Sequence, residues 1–354
     1  MSDPADLYEG GARAVEEILR RAFRIDIAKD DDPLGKKGFV VIVGRVSRRM
    51  QKIAGPIEGK AAKKAGEKLD ADWPNIKAKK RGNLIQEAGE IVEAAGERAL
   101  PLLDAILETS STAIVRGTRR RARAKYKLSI AASLTDRDER TAEHVRASNT
   151  MFIRDAYGTL RERLSVRARN IVADGLEKGL GREDISAELA DAMKSARRPD
   201  SYWDMISTNF SNRARTFTHV HALEEAGIEA YRYDAVLDEV TSDICRFMHG
   251  KVFNVGKAVK RQQRVLELEE PEDIKATMPW VSKAKRDSDG KEILYYETKG
   301  GARRAVAVVD ESGEGTKDDT GSFSREMSTE QLERAGISVP PLHGGCRSTL
   351  TPVF

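Results

Sequence analysis

Cysteine is almost absent: the 354 residues contain two, Cys245 and Cys346. A scaffold braced by several disulfides is therefore excluded. Aromatic residues are scarce at 6%, which favours helices packed through Ala, Leu, Ile and Val. No uninterrupted apolar run approaches the roughly 20 residues that span a bilayer, so no membrane partner is expected. The opening Met1-Ser-Asp-Pro-Ala-Asp6 is acidic and lacks the apolar segment of a secretory signal. That predicts a reducing compartment, which disfavours a Cys245–Cys346 disulfide. Familiar catalytic patterns are missing too. There is no His-Glu-x-x-His, no phosphate-binding Gly-rich loop ending in Lys-Ser/Thr, and no Gly-x-Ser-x-Gly. The His-x-Glu with Pro-Cys-x-x-Cys of deaminases is also absent, although Pro341, His343 and Cys346 superficially resemble its second half.

What is present is charge. Hydrophobic residues make up 40% of the chain and charged residues 33%, enough for a core in a highly charged protein of about two domains. The net charge of +4 is unevenly spread. Residues 1–127 hold 27 Lys plus Arg against 19 Asp plus Glu, a surplus of 8, which leaves −4 for the rest. The densest run is Arg116, Arg119, Arg120, Arg121, Arg123, Lys125 and Lys127. A second comprises Lys60, Lys63, Lys64, Lys68, Lys77, Lys79, Lys80 and Arg81. Such patches neutralise phosphates and release counterions, or else line a solvated helix face. No base-reading motif accompanies them, so DNA contact is expected to be nonspecific.

The two thiols each stand beside a histidine, as Cys245-x3-His249 and His343-x2-Cys346. Two such pairs are a common source of the four ligands of a structural zinc. Cys245, His249, His343 and Cys346 are accordingly the candidate metal set, with one structural zinc as the candidate cofactor. A metal-free core cluster, a disulfide and a catalytic thiol stand as alternatives.

The expected fold class is α+β. Residues 1–140 read as a basic helical domain, 141–228 as a long-helix region, and 229–354 as a small mixed α/β domain. That last domain is built on short strands and the Cys/His cluster, with a variable insertion at 257–327. Apolar spacing predicts a helix from Leu7 to Ile27, broken at Asp30-Asp-Asp-Pro33. Phe39–Val43 suits strand or helix, and Gly55-Pro56 reads as a turn. Ile85, Ala88, Ile91, Ala95, Ala99, Leu102, Ile106 and Ile114 outline an amphipathic helix that Pro101 kinks or restarts. Helices follow over 151–178, 183–194 and 202–226, ended by Gly179 and Gly227. His219 and His221 on the last of these are expected at the surface or in packing.

After Gly227 the pattern changes to period two, with Tyr231, Tyr233 and Ala235 on one face of a strand. Thr241 or Ser242 caps a short helix on which Cys245 and His249, four residues apart, share a face. Residues 251–255 read as a strand, 292–297 and 303–309 as a hairpin, 311–324 as a mobile loop, and 328–335 as a capped helix. In Pro340-Pro-Leu-His-Gly-Gly-Cys346 the prolines impose an extended entry and the glycines allow a tight fold, so His343 and Cys346 converge.

These blocks, in this order, resemble the phage Mu F-like head morphogenesis (minor capsid) family. The resemblance is carried by Asp238-Glu-Val-Thr-Ser-Asp-Ile-Cys-Arg-Phe-Met-His-Gly250, Val252-Phe253, the insertion, and the terminal Pro340-Pro-Leu-His-Gly-Gly-Cys-Arg-Ser-Thr349. The helix bearing Arg213-Ala-Arg-Thr216 stands where that family carries an Arg/Thr-containing helix. It covers roughly residues 150–354. Many relatives have Cys-x2-Cys in the first block; here Ser242 stands at the earlier position, and His249 is the candidate replacement ligand. The resemblance implies a non-enzymatic virion component made in the host cytoplasm. It would act near the portal during capsid assembly and contact portal, capsid or scaffold proteins and packaged DNA. The enzyme alternatives are a Cys245 or Cys346 nucleophile with a histidine base, and a hydrolytic metal site. The latter, a nuclease for example, would join Asp238, Glu239 and Asp243 to His249 or His343.

Overall fold

The computed structural model describes residues 31–285 and 290–354. The helix expected over Leu7–Ile27 lies outside the described residues. Among them the chain forms nine α-helices and seven strands: α1 (Lys36–Lys68), α2 (Ala78–Tyr126), α3 (Asp136–Glu177), α4 (Arg182–Lys194), α5 (Asp200–Glu225), β1 (Ala230–Asp234), α6 (Asp243–Met248), β2 (Val252–Asn254), α7 (Val255–Leu266), α8 (Pro271–Thr277), β3 (Val281–Lys285), β4 (Glu292–Glu297), β5 (Arg303–Glu311), β6 (Ser322–Ser324), α9 (Thr329–Ala335) and β7 (Thr349–Val353). The α+β class is as expected from the sequence. No described helix is long and apolar enough to cross a membrane.

Both prolines read as interruptions lie inside helices, Pro56 in α1 and Pro101 in α2. Each removes one amide donor, but both side chains are exposed, and the apolar stripe continues on either side. Burial of that stripe outweighs the local cost of about 3 kcal/mol. Phe39–Val43 is part of α1, with Phe39 and Ile42 buried a turn apart.

The chain divides into two compact units built from interleaved segments. The first takes Val46–Thr109 and Asn149–Trp203. Its core joins Ile85, Ala88 and Val92 of α2 to Leu160, Leu164, Ala168 and Val172 of α3, and to Ile185, Leu189 and Met193 of α4. Gly96 lets α2 and α3 approach closely, since a Cβ there would lie 2.6 Å from Cγ of Tyr157. A buried ion pair completes this unit. Glu58 accepts from the Arg198 guanidinium at 2.9 Å, from the Arg198 backbone N–H at 3.0 Å and from the Tyr157 hydroxyl at 2.9 Å.

The second unit takes residues 31–45, Ser110–Ser148 and Asp204–Phe354. A small antiparallel sheet, order β2-β1-β7, lies at its core, with Tyr231 and Tyr233 inward as the alternation predicts. A second antiparallel sheet, order β3-β4-β5-β6, contains the expected hairpin as β4 and β5. Residues 311–324 do not form the free loop the composition suggests. Ser322–Ser324 pairs with β5, and the buried Arg246 guanidinium donates to the carbonyls of Thr316 and Asp319. The final helix α9 carries the expected cap in full, a Ser328–Gln331 capping box and Gly336 at φ 83°.

Candidate metal centre

Three elements of the second unit converge here: β1, α6 and the terminal block 339–348. Helix α6 is short and wholly buried, from Asp243 to Met248. Such a helix has little intrinsic stability, and polar clamps fix it. Arg246 donates to the carbonyls of Thr241 at 3.0 Å and Asp238 at 2.7 Å. Asp243 accepts from Ser312 and pairs with Lys283 at 3.0 Å. Cys245 on this helix is therefore rigidly presented.

The terminal block is held from α5. Asn212 donates to the Cys346 carbonyl at 2.6 Å. Arg215 donates to the carbonyls of Arg347 and Ser348, both at 2.7 Å, and to that of Pro33 at 2.9 Å. Its guanidinium also stacks 3.5 Å from the Phe39 ring centroid. Arg347 forms a bidentate pair with Asp238, at 2.6 and 2.8 Å. Val281 N–H donates to the Leu342 carbonyl at 2.8 Å. Gly345 has φ 77° and the Cys346 N–H donates to the His343 carbonyl at 3.3 Å, so the chain turns tightly and brings His343 near Cys346.

The result is one cluster. Ligand atoms of Cys245, His343 and Cys346 all lie within 4.8 Å of one another. Cys245 Sγ is 3.1 Å from His343 Nε2 and 3.7 Å from Cys346 Sγ. Both cysteines are free and buried; a disulfide would require about 2.05 Å between the sulfurs. The Tyr233 hydroxyl is 3.6 and 3.7 Å from the two sulfurs. Ser242 Oγ is 2.9 Å from His343 Nε2. His343 Nδ1 lies 2.7 Å from the Gly344 carbonyl, which assigns one proton to Nδ1 and turns Nε2 towards the thiols.

Proton sharing in the cluster is uneven. The hydrogen bond with Cys346, burial and the Cys346 charge all push the Cys245 thiol well up. Burial opposes ionisation of Cys346, but hydrogen bonds from Cys245 and His343 and the His343 charge outweigh it and hold that thiol well below its ordinary value. Burial likewise disfavours charge on His343, yet the Cys346 hydrogen bond and charge raise it overall. One thiolate beside one imidazole suits a soft divalent ion. Tetrahedral zinc places two thiolates about 3.8 Å apart and a thiolate and imidazole nitrogen about 3.6 Å apart. The sulfur pair already meets the first spacing. The donor set fits zinc.

Not every expected ligand takes part. His249 caps the C-terminus of α6, where the helical path has ended, and its Nδ1 accepts the Ala235 N–H at 3.2 Å. It is absent from the cluster because its ring turns instead to the backbone just after β1, where it accepts that amide. Two carboxylates of the hydrolase alternative are committed elsewhere, Asp238 to Arg347 and Thr241 and Asp243 to Ser312 and Lys283, and Glu239 does not join the cluster. Four further residues shape the centre: Tyr233, Ser242, Asn212 and Arg215. Tyr233 is legible in the sequence as an inward position of β1, Ser242 as a helix cap and Arg215 within the Arg213–Thr216 block; their contacts with the cluster, and Asn212 altogether, depend on which segments meet.

The basic run divides. Arg116, Arg120 and Arg123 lie exposed on α2 at spacings of four and three, sharing one face, and Lys125 and Lys127 are also exposed. Arg121 pairs with Asp32 at 3.0 Å. Arg119 is 1% exposed. Its guanidinium is held by Asp138 at 3.1 Å and Glu225 at 2.6 Å, and it donates to the Ala131 carbonyl. It is a core ion pair and is not available to a phosphate.

Residues 167–275 match the family model described as Phage Mu protein F like protein. This segment is Mu F-like. It spans the end of α3, helices α4 and α5, strand β1, helix α6 with Cys245, strand β2 and helix α7. The Mu F-like match ends before His343 and Cys346, which reach the first thiol only through the fold. No curated protein and no solved structure matches the chain.

Proposed function

We propose that this chain is a phage head morphogenesis protein of the minor-capsid type. It acts without catalysing a reaction, in or near the portal of the assembling head, and it joins the virion. The observation that carries this reading is the Mu F-like match over 167–275. In this reading Cys245, His343 and Cys346 hold one structural zinc, which ties the terminal block to α6. When bound, the metal would supply folding free energy rather than Lewis-acid chemistry. Arg215, Asn212 and the Arg347–Asp238 pair position the block, and the Tyr233 hydroxyl lies within hydrogen-bonding reach of both sulfurs. Partners are the portal protein and capsid or scaffold subunits, with the exposed row Arg116, Arg120 and Arg123 meeting packaged DNA through its phosphates.

Co-expression with the portal and capsid proteins of the same phage tests the assignment. The expected outcome is co-purification with portal and no loss of plasmid DNA in the presence of divalent ions. Failure to associate, or metal-dependent DNA degradation abolished by His343→Ala, would overturn it. Separately, DNA binding should be independent of sequence and weaken steeply with salt. Changing Arg116, Arg120 and Arg123 to Ala together should lower the log–log salt slope by about 2 to 3. Unchanged binding in that triple variant would exclude the α2 row as the contact.

A further inference from the structure

The cluster offers three protein donors, one short of a closed structural zinc site. Among the described residues no further His, Cys, Asp or Glu joins the group. His249 is engaged with the Ala235 amide. Ser242, by contrast, behaves unusually for its position. It is the N-cap residue of α6, where a serine normally bonds back to the helix amides and contributes about 1 kcal/mol. Here its side chain makes no capping bond and lies 2.9 Å from His343 Nε2. Beside it a cleft is lined by Ser242, Cys245 and His343 together with Val240, Thr241 and Arg347. Val240 at the rim is 78% exposed, so the cleft communicates with solvent.

We infer that Cys245, Cys346 and His343 are the entire protein contribution to the metal, and that a water molecule, exchangeable for a small anion from the cleft, completes the set beside the Ser242 hydroxyl. This rests on the metal reading above. The hydroxyl has given up its helix to face the ligand atoms, and the cleft that opens beside it reaches solvent. The centre is thus a structural tie with one exchangeable corner, open to solvent at the level of Val240.

Cobalt(II) loading of the full-length chain tests this, because its visible bands report coordination without any activity. One cobalt per chain is expected, with a sulfur-to-cobalt charge-transfer band. Azide should then shift the visible bands saturably. Ser242→Ala should keep the stoichiometry but weaken azide binding about 5- to 10-fold, the worth of one hydrogen bond. His249→Ala should leave the spectrum unchanged. Visible bands indifferent to azide, or altered by His249→Ala, would overturn the inference while leaving the metal reading intact. No cobalt uptake at all would overturn both.

Discussion

Arg215→Ala is expected to destabilise the second unit by about 4 kcal/mol, near the upper end of single-residue effects. The side chain is 2% exposed. It makes four hydrogen bonds, three of them to the carbonyls of Pro33, Arg347 and Ser348 and one to Asn212 Oδ1. Removing it strands those acceptors away from water, at roughly 1–3 kcal/mol each before relaxation. It also opens a cavity against Phe39. For a unit of this size the melting temperature should fall by about 8–16 °C. Arg215→Lys should rescue little, because an ammonium lacks the planar fork that spans three carbonyls from two separate segments. Thermal unfolding followed by circular dichroism checks this, with exposed Arg304→Ala as the control. A shift of less than about 2 °C would show that the terminal block is held in some other way.

The second large effect concerns acid. His219 and His221 are buried on α5, and neither ring has a hydrogen-bond partner in the described structure. Burial, reinforced by Lys125 and Arg215, depresses His219 to about 3. Burial with Arg137, Arg140 and Arg119 does the same to His221, also to about 3. His144, on α3, is pushed down to about 4 by burial and by Arg213. All three are neutral in the folded chain but accept protons near 6.5 once unfolded. Their folded values are depressed, so the stability they contribute is present above pH 6.5 and is lost as the pH falls towards 3 to 4.

At pH 5 His219 and His221 should each cost about 2 kcal/mol, with His144 adding in the same direction. His343 works the other way, since its raised value favours folding at lower pH. It is a single group, and acid also removes metal from thiolate ligands. The second unit should therefore unfold near pH 4 to 5. His219→Phe preserves the stacking on Tyr126, and His221→Leu strands no hydrogen-bond partner. Together they should lower the unfolding midpoint by about one pH unit and reduce proton uptake on unfolding from about three to about one. An unaltered midpoint and uptake would mean that these histidines are solvated in the native chain.

These two residue groups also show where reading the sequence stops. The inward tyrosines of β1, the capped α9 and the glycine stops at 179 and 227 are local signals, and each is realised. The central hairpin is likewise a local pattern. Pro56 was misleading because a proline's cost is local, whereas the burial that overrides it is distributed along the whole of α1. Arg119 looks identical to its neighbours in a basic run. Only the return of Asp138 and Glu225 to its side makes it a core residue. In the metal centre, three of four candidate ligands come together because glycines, prolines and a short helix encode convergence locally. His249 turns to the Ala235 amide instead, and Ser242 and Arg215 matter only through segments about a hundred residues away.

The metal content of the full-length chain, purified without chelator or affinity nickel, tests the central claim most directly. Elemental analysis should find about one zinc per chain. Cys346→Ser should abolish it and lower the melting temperature by several degrees, since binding free energy is folding free energy here. Wild-type chain that is folded, thermally stable and free of zinc, cobalt or iron would contradict the account. The Cys245–His343–Cys346 cluster would then be a hydrogen-bonded core and nothing more.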